Sequence, residues 1–319
     1  MRADLLDVVV PMMNPIRWKV RERQFDAFID QMMRAGVRLT IAECAIGGRP
    51  FMFADDPRLK QPNIRHVGLR AFSVCWNKEN VWNLGVPADA QYVACIDADV
   101  TFRDPNWAAE TVHALQQYEI VQPWSDAITL GPNDEILALH KSFCSLLCKG
   151  VPVTVTPPYK WKKDGGTQEY PHPGMAWAYR REALERLGGL FEYGVSGSGD
   201  SHMALAYIGQ ADKSVPQSVR DKCPALMKHM MAWQGRALHH INGNIGFVRG
   251  SIEHSFHGAA EKRRYWDRWS IFTDERFDPD TDLKRNTWGV LELSGNKPGL
   301  RRKIDEYLRS RDEDSNTLG

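Results

Sequence analysis

The chain has 319 residues, a formal net charge of +1, and 43% apolar and 25% charged residues, which is ordinary for a globular protein. This length is sufficient for one large α/β domain or two smaller ones. The near-zero charge argues against a nucleic-acid-binding module that acts by charge alone, and the longest apolar runs, such as 8–13, are too short to cross a bilayer.

Apolar strands alternate with helical segments along the N-terminal half. One face of the first helix carries Phe25, Phe28, Ile29 and Met32, and Gly36 follows as a stop signal. Such alternation predicts a mainly parallel sheet covered on both faces, with ligands beyond the carboxyl ends of its strands. The predicted elements are strands over 7–11, 37–44 and from 92 to the acidic pair 97/99, and helices over 17–35, 76–84 and 106–118.

The C-terminal half contains more turns. Residues 152–167 are rich in Pro, Lys, Gly and Thr, which is typical of a loop over a site. A Gly/Ser-rich turn over 194–199 leads into an apolar helix over 203–208. Residues 300–311 predict a basic terminal helix, and 312–319 predict a frayed tail.

Two carboxylates one residue apart, Asp97 and Asp99, follow the apolar run 92–96. In an extended strand, side chains at i and i+2 lie on the same face. Two carboxylates placed so closely repel each other unless a positive charge lies between them. A divalent cation that also binds a diphosphate would supply this charge. The alternative is an Asp-rich turn without an ion.

Positive charge is concentrated between Lys213 and Arg264. This segment contains nine Lys or Arg, three acidic residues and five histidines. This cluster indicates a polyanionic partner, either a nucleotide diphosphate or a nucleic-acid backbone. The alternative is a solvated basic surface.

The N-terminal segment and the cysteines indicate the cellular compartment of the protein. Asp4 and Asp7 interrupt the segment in which a secretory signal needs an apolar core. The six cysteines show no C-x-x-C pair and no zinc spacing, which is typical of free thiols in a reducing compartment. We therefore expect a cytoplasmic protein without integral membrane contact.

An ordered series of motifs resembles GT-A glycosyltransferases, in particular a family-2-like branch found in bacteria and tailed phages. The similarity runs over nearly the whole chain. One departure is Gly199-Asp200-Ser201, where many family-2 enzymes carry Glu-Asp. The motifs are Val8-Val9-Val10-Pro11, Ile41-Ala42-Glu43, Trp76-Asn77-Lys78-Glu79-Asn80 with Asn83, Ile96-Asp97-Ala98-Asp99, residues 172–178 with Arg180-Arg181-Glu182, Gly197-Ser198-Gly199-Asp200, residues 254–258 and Phe277-Asp278-Pro279.

The resemblance implies an α/β GT-A fold with a Rossmann-like nucleotide-binding half, a mixed central sheet and helices on both faces. It implies one domain over 1–295, with a nucleotide-sugar-binding half (1–105) and an acceptor and catalytic half (106–295). A terminal helix and tail (296–319) follow. For a phage-encoded protein, the cytoplasm would be that of the host.

The resemblance also implies a site for a UDP-sugar and for Mn²⁺ or Mg²⁺. Asp97 and Asp99 would hold the ion, with His254 or His257 added; His254 is favoured because it follows a strand-like segment. Instead of binding the donor, Lys78 and Asn83 could cap a helix. Lys262 could instead belong to a solvated run of charges with Arg263 and Arg264. The donor-binding residues would be Pro11, Glu43, Arg70, Lys78, Asn83, Asp97 and Lys262.

Asp200 is the candidate catalytic base, because an inverting transferase needs a carboxylate to accept the proton of the acceptor hydroxyl. Its alternative is a helix cap. Aromatic surface for the acceptor would come from Trp124, His172 and Trp177, together with Tyr159 and Trp161. For Trp177 a place in the core is the alternative, because the segment around it reads as a strand.

The sequence therefore predicts a metal-dependent transferase that glycosylates a hydroxyl group. DNA carrying 5-hydroxymethylpyrimidine is the expected acceptor, and a cell-surface glycan precursor is the alternative, with a basic terminal helix holding the protein at a membrane surface. A nucleotidyltransferase would need a Gly-rich, Lys-bearing loop after the first strand, which residues 11–15 lack. A nucleic-acid-binding module without catalysis gives no reason for the acidic pair.

Overall fold

Strand β1 is an interior strand of the main sheet and is buried along its whole length. The computed structural model describes residues 2–151, 153, 171–265 and 267–318. Apart from Val153, the predicted loop 152–167 lies outside the described residues, as do Tyr159 and Trp161. The described strands are β1 (Leu6–Met13), β2 (Arg38–Ile46), β3 (Ile64–Ala71), β4 (Tyr92–Ile96), β5 (Val100–Phe102), β6 (Ile120–Gln122), β7 (Asp126–Leu130), β8 (Ile136–Ser142), β9 (Pro171–His172), β10 (Ala176–Arg180), β11 (Ile245–Phe247), β12 (Ser251–His254), β13 (Leu283–Arg285) and β14 (Leu291–Leu293).

Helices alternate with these strands over most of the chain. The described α-helices are α1 (Lys19–Ala35), α2 (Lys78–Gly85), α3 (Trp107–Leu115), α4 (Phe143–Cys148), α5 (Arg181–Leu187), α6 (Gly199–Ala206), α7 (Gln217–Lys222), α8 (Pro224–His240), α9 (Ser270–Glu275), α10 (Pro279–Asp282) and α11 (Pro298–Ser310). The predicted helices over 17–35, 76–84 and 106–118 are thus confirmed as α1, α2 and α3, with ends that differ by a few residues.

The central sheet has seven strands in the order β11-β6-β10-β4-β1-β2-β3. β1 to β4 are mutually parallel where they pair, whereas β10 runs antiparallel to both β4 and β6. The predicted α/β class with a mixed central sheet is therefore confirmed. Parallel strands β1, β2 and β4 bring their carboxyl ends to one edge of the sheet, where ligands bind in folds of this class.

Each face of the sheet is covered by helices, as the alternation of β1 side chains requires. Val8 and Val10 point into a core shared with Phe28 and Met32 of α1. Val9 points to the opposite core, which α2, α5, α6 and α8 also enter. Burial on both faces explains why β1 reads as a continuous apolar run.

A second sheet extends the fold beyond the carboxyl end of β4. Its five strands have the order β5-β12-β7-β8-β9. β12 pairs antiparallel with β5, with His254 opposite Val100. This register places the end of β12 beside the residues that connect β4 to β5.

The C-terminal segment is packed against the rest of the chain. In α11, the apolar side of the helix, with Leu300, Ile304, Tyr307 and Leu308, lies in the same core as α2 and α8. This side is thus covered by the protein itself. The predicted domain boundary at 295 stays a prediction.

The prediction that residues 312–319 form a frayed tail is wrong for residues 312–314. Glu313 is only 2% exposed and binds Arg21 and Arg311 at 2.6 and 2.7 Å. Asp314 accepts hydrogen bonds from the backbone N–H groups of Lys19 and Val20, so it caps α1 from the far end of the chain. Local composition predicted fraying because these long-range partners are invisible in the sequence.

Within the described part of the chain, no helix has the length and apolar character needed to span a membrane.

Candidate active site

The acidic pair lies in a turn that connects the two sheets. β4 ends at Ile96 and β5 begins at Val100. The N–H of Asp97 donates to the carbonyl of Met175, and the carbonyl of Asp99 accepts from the N–H of Ser255, both at 2.9 Å. The prediction that Asp97 and Asp99 share one face of an extended strand is therefore wrong. Both nonetheless line the same cavity, which has a volume of about 590 Å³.

Asp99 contacts both predicted histidines. Its Oδ2 lies 2.9 Å from Nε2 of His257 and 3.6 Å from Nε2 of His254. Candidate ligand atoms of the three side chains all lie within 4.8 Å of one another. Asp99 Oδ1 and His254 Nδ1 are buried and have no hydrogen-bond partner among the described residues. Because unsatisfied buried polar atoms are costly, these residues fit a bound cation.

The protonation states also fit a cation. Burial lowers the pKa of His254 to about 3, so its imidazole is neutral and its ring nitrogen can bind a metal. Burial opposes the charge on Asp99, but His254, His257 and, at longer range, Arg21 hold the pKa of this carboxyl below its ordinary value. A mixed carboxylate and imidazole set suits a first-row divalent ion better than Mg²⁺, which prefers oxygen ligands.

Asp97 has a different partner. Its carboxylate accepts from Nζ of Lys78 at 3.0 and 3.3 Å, and the same ammonium lies 4.7 Å from the ring centroid of Trp82. Burial opposes the charge on Lys78, yet Asp97 raises its pKa above the ordinary value. The structure thus groups Asp99 with the two histidines and neutralises Asp97 with a lysine. A metal-binding role for Asp97 stays a prediction.

Asp200 lines the same cavity from the first turn of α6. Its Oδ1 accepts from the N–H of Ser201 at 2.8 Å. The N-cap position of α6 belongs to Ser198, so Asp200 does not occupy the capping position. Negative charge is favoured in the first turn of a helix. Asp200 is therefore a carboxylate that faces the cavity without being needed as the cap.

Glu79 is a cavity residue to which the sequence reasoning gave no role. It is only 2% exposed, and its Oε2 has no hydrogen-bond partner among the described residues. Burial, opposed by Lys78 and reinforced by Asp200, raises the pKa of Glu79 to about 7. A glutamate in the first turn of α2 reads as an ordinary helix-start residue, and the sequence carries no signal of its burial.

The raised pKa of Glu79 predicts a pH-dependent stability difference. A carboxyl whose folded pKa lies above its unfolded value stabilises the fold at low pH, and this contribution is lost as the pH rises from about 4.5 to about 7. Glu79→Gln removes the titrating group. The free energy of unfolding of the variant, relative to that of the wild type, should therefore be a few kcal/mol higher at pH 8 than at pH 4, because each pKa unit corresponds to about 1.4 kcal/mol. Urea unfolding at both values measures this gain.

The matched control is Glu182→Gln, which changes an exposed glutamate in the first turn of α5. Its stability relative to wild type should not vary with pH. Parallel unfolding curves for wild type and Glu79→Gln at the two pH values would contradict the raised pKa.

Several predicted donor-binding residues do not line the cavity because they have structural partners elsewhere. Glu43 accepts from the N–H groups of Met52 and Phe53 and contacts His66, so it organises the loop after β2. The other three are Arg70, which donates to the carbonyls of Gly47 and Arg49, Asn83, which exchanges two hydrogen bonds with the backbone of Leu190, and Lys262, which pairs with Asp312. Pro11, Lys78 and Asp97 do line it.

The predicted aromatic acceptor surface is also only partly at the cavity. His172 lines it, and its Nδ1 accepts from the N–H of Gly174 at 3.1 Å. Trp124 is fully buried, and Trp177 is buried with its Nε1–H donating to the carbonyl of Pro173 at 2.6 Å. Both tryptophans belong to the core, Trp177 on β10 and Trp124 in the connection between β6 and β7, because large aromatic side chains stabilise the fold by burial.

Arginines form much of the remaining wall. Arg21, Arg263, Arg268 and Arg311 all line the cavity and come from segments far apart in sequence. Of the basic run 262–264, only Arg263 lies there: its Nη2 is 2.7 Å from Nε2 of His257. Arg21 and Arg268 carry no sequence signal that separates them from surface arginines.

Comparisons with known proteins give limited similarity. No protein-family model and no curated protein matches the chain. Similar solved structures include a mannosyltransferase from Pyrobaculum calidifontis in complex with GDP-Man and Mn²⁺ (17% identity, 64% of this chain and 52% of that chain, TM-score 0.36). A second is glucosyl-3-phosphoglycerate synthase from Mycobacterium tuberculosis with Mn²⁺, UDP and glucosyl-3-phosphoglycerate (13%, 90% and 86%, TM-score 0.40).

A third similar structure is a 4-diphosphocytidyl-2C-methyl-D-erythritol synthase from Anaerococcus prevotii (10% identity, 97% of this chain and 100% of that chain, TM-score 0.35). The chain spans about half the length of the mannosyltransferase. At these scores the likeness does not establish a shared function, so the functional interpretation depends on the geometry of the site.

Proposed function

We propose that this protein is a metal-dependent glycosyltransferase of the GT-A type that moves a sugar from a UDP-sugar to a hydroxyl acceptor. The observation that carries the proposal is the arrangement of one cavity. The carboxylate and two imidazoles of Asp99, His254 and His257 line it as one cluster, and the separate carboxylate of Asp200 lines it as well. Metal-binding residues and a separate carboxylate around one cavity suit transfer with a charged leaving group.

Each of these residues has a defined part in the proposed reaction. Asp99, His254 and His257 would hold Mn²⁺, which stabilises the negative charge of a departing nucleoside diphosphate. Asp200 accepts the proton of the acceptor hydroxyl while the acceptor oxygen bonds to the anomeric carbon and the bond from that carbon to the diphosphate breaks. Lys78 keeps Asp97 neutralised, so the cavity contains one fewer net negative charge near the diphosphate.

The test is release of UDP from a panel of UDP-sugars, measured with Mn²⁺ and with a chelator. We expect slow hydrolysis that requires the metal, because water can replace the acceptor in the cavity. Release that persists in the chelator would overturn the proposal. Release of pyrophosphate from UTP and a sugar phosphate, instead of UDP from a UDP-sugar, would assign a nucleotidyltransferase.

We further propose DNA with 5-hydroxymethylpyrimidine as the acceptor. The support is that the basic segment 213–264 both lines the cavity, through His254, His257 and Arg263, and carries exposed charge on α8, such as Lys228 and Arg236. A hydroxymethyl group is a competent nucleophile once the base is extruded from the helix. Mass spectrometry of hydroxymethylated DNA incubated with UDP-sugars should detect a hexose adduct, and DNA binding should weaken steeply with salt.

The structure gives less support to the two alternatives. A glycan-precursor transferase held at a membrane by α11 would need the apolar side of that helix, which is buried against the protein. A binding module without catalysis does not explain why buried polar atoms of Asp99 and His254 lack hydrogen-bond partners among the described residues. An adduct on a lipid-linked glycan but not on DNA would favour the first alternative.

Gly174 provides a test of the Asp200 position. A Cβ at residue 174 would lie 2.5 Å from Oδ2 of Asp200 and 3.2 Å from Cε1 of His172. Gly174→Ala must therefore displace the carboxylate, and a displacement of about 1 Å in a reacting group costs on the order of 10²-fold in rate. We expect the rate of sugar transfer to fall by this factor while UDP binding is unchanged.

The control is Gly235→Ala in α8, where an added Cβ meets nothing within 4 Å. This variant should keep the wild-type rate and gain slightly in stability, because alanine favours a helix over glycine. An unchanged transfer rate in Gly174→Ala would show that the position of Asp200 does not matter.

A further inference from the structure

Two arginines of the cavity wall form no ion pair with a carboxylate in the part of the chain that the structure describes. Arg21 and Arg311 share Glu313, and Lys78 has Asp97. By contrast, neither Arg263 nor Arg268 forms an ion pair with an acidic side chain among the described residues. The Nε atom of each is buried without a hydrogen-bond partner, as is that of Arg311. Arg268 is the buried one of the two, whereas Arg263 is half-buried and has Asp99 and Glu313 in its surroundings. A buried cation without a counter-ion is costly, so Arg268 in the cavity wall indicates a binding site for an anion.

Arg268 is held rigidly in place. It is 7% exposed, and its guanidinium carbon lies 5.0 Å from the ring centroid of Tyr265 and 5.8 Å from that of Trp269. Nη2 donates to Oγ of Ser198, and Nη1 donates to the hydroxyl of Tyr307 at 3.4 Å. A stacked, planar guanidinium with a remaining donor is suited to binding a phosphate.

Arg268 and Arg263 share Tyr265 as a neighbour but differ in their other contacts. Arg263 lies against His257, on the side of the cavity proposed for the donor diphosphate. Arg268 contacts Ser198, two residues before the candidate base Asp200. An anion bound by Arg268 would therefore lie on the side where the acceptor hydroxyl must approach Asp200.

The charges lead to the same assignment. In the proposed donor complex, the two positive charges of Mn²⁺ offset the diphosphate of a UDP-sugar. Arg263 can add to that offset because it is next to His257. On the acceptor side, Asp200 supplies one negative charge but forms no ion pair with Arg268 among the described residues, so the guanidinium can bind an anionic group of the acceptor directly.

We propose that Arg268, with Ser198 and Tyr307, forms a phosphate subsite for the acceptor. This inference rests on the proposed transferase function and specifies its acceptor: an alcohol that carries a phosphate close to the reacting hydroxyl. The phosphate is either a monoester of a small molecule or a phosphodiester of a DNA strand. Both present the same oxygens to the guanidinium, and the test distinguishes them.

The test is calorimetric titration of the protein held at saturating UDP and Mn²⁺. The probes are glycerol 1-phosphate for a monoester and the dinucleotide dTpdT for a phosphodiester. We expect one of them to bind without displacing UDP, and the one that binds identifies the source. Arg268→Gln should weaken that binding by at least tenfold, as for a lost charged hydrogen bond, and leave the affinity for UDP unchanged.

The matched control is Arg264→Gln, which removes an exposed arginine four residues away and should leave probe binding unchanged. Arg268→Lys keeps the buried charge and serves if the glutamine variant does not fold; it should bind the probe more weakly than wild type because it lacks the planar donors. Binding of neither probe, displacement of UDP by the probe, or wild-type binding in a folded Arg268 variant would overturn the inference.

Failure of the proposed transferase function gives a different result. In that case UDP with Mn²⁺ does not bind, and the probes are titrated into the protein without them. Binding that depends on Arg268 would then retain the phosphate subsite and remove its assignment to an acceptor.

Discussion

Asp99→Asn is expected to reduce the Mn²⁺-dependent release of UDP from a UDP-sugar by about 10²–10³-fold, the loss typical of removing one group that stabilises transition-state charge. Asparagine keeps the shape of the side chain and removes the charge that lies 2.9 Å from His257 and 3.6 Å from His254. The affinity for Mn²⁺, measured by calorimetry without donor, should fall together with the rate.

Asp55→Asn is the control for Asp99→Asn, because Asp55 is exposed and lies away from the cavity lining. It should retain both the rate and the affinity for Mn²⁺. Asp97→Asn separates the two members of the acidic pair: we expect a smaller loss of metal affinity, since Asp97 binds Lys78 and not the histidines. Equal losses of Mn²⁺ affinity in the two variants would support the sequence-based prediction that Asp97 and Asp99 both bind the metal.

Asp200→Asn is expected to lower the rate of sugar transfer by about 10²–10⁴-fold, the usual contribution of a general base. Binding of UDP and Mn²⁺ should not change, because Asp200 is not part of the Asp99 cluster and serves no ion pair in the described residues. The measurements are single-turnover transfer and calorimetric binding of UDP.

Glu79→Gln is the informative comparison for Asp200→Asn, because Glu79 is a second carboxyl facing the same part of the cavity. With a pKa near 7, Glu79 is partly protonated at neutral pH and is the weaker candidate for proton acceptance. We expect the glutamine variant to retain most of the transfer rate. A large loss in Glu79→Gln with an active Asp200→Asn would exchange the two roles.

Local patterns predicted the main elements well. The apolar period of α1 and its stop at Gly36 are confirmed, and Gly36 takes the left-handed conformation with φ of 68°. The buried run of β1 is confirmed because burial on both faces leaves a clear signal in a parallel strand. These elements depend on residues that are close in sequence.

The site was only partly predictable because its residues come together through long-range packing. Asp99, His254 and His257 were identified as metal-binding candidates, and the pairing of β5 with β12 brings them together. Glu43 and Trp124 were predicted to bind ligands. A polar residue at a strand end, or a tryptophan near loops, has the same sequence context whether it binds a ligand or stabilises the fold. Their hydrogen bonds and burial decide the matter.

The basic residues 262–264 show most clearly that local sequence does not reveal which side chain lines the cavity. Lys262, Arg263 and Arg264 are adjacent and alike in sequence, yet only Arg263 reaches the cavity. The backbone turns at Arg264, where φ is 46°, and Lys262 is drawn to Asp312. Such a choice among neighbours depends on the path of the chain and not on residue type.

The docked segment 311–314 links the two ends of the molecule to the cavity. Its backbone lies within 3.0 Å of where a Cβ on Gly258 would be, directly after His257, and its Asp314 anchors the start of α1. Proteolytic clipping after Ser310 would strip Arg21 of its counter-ion and loosen the loop that carries His257. Loss of this segment would thus weaken the proposed manganese site from a distance, and a bulky fusion partner placed there would have the same effect.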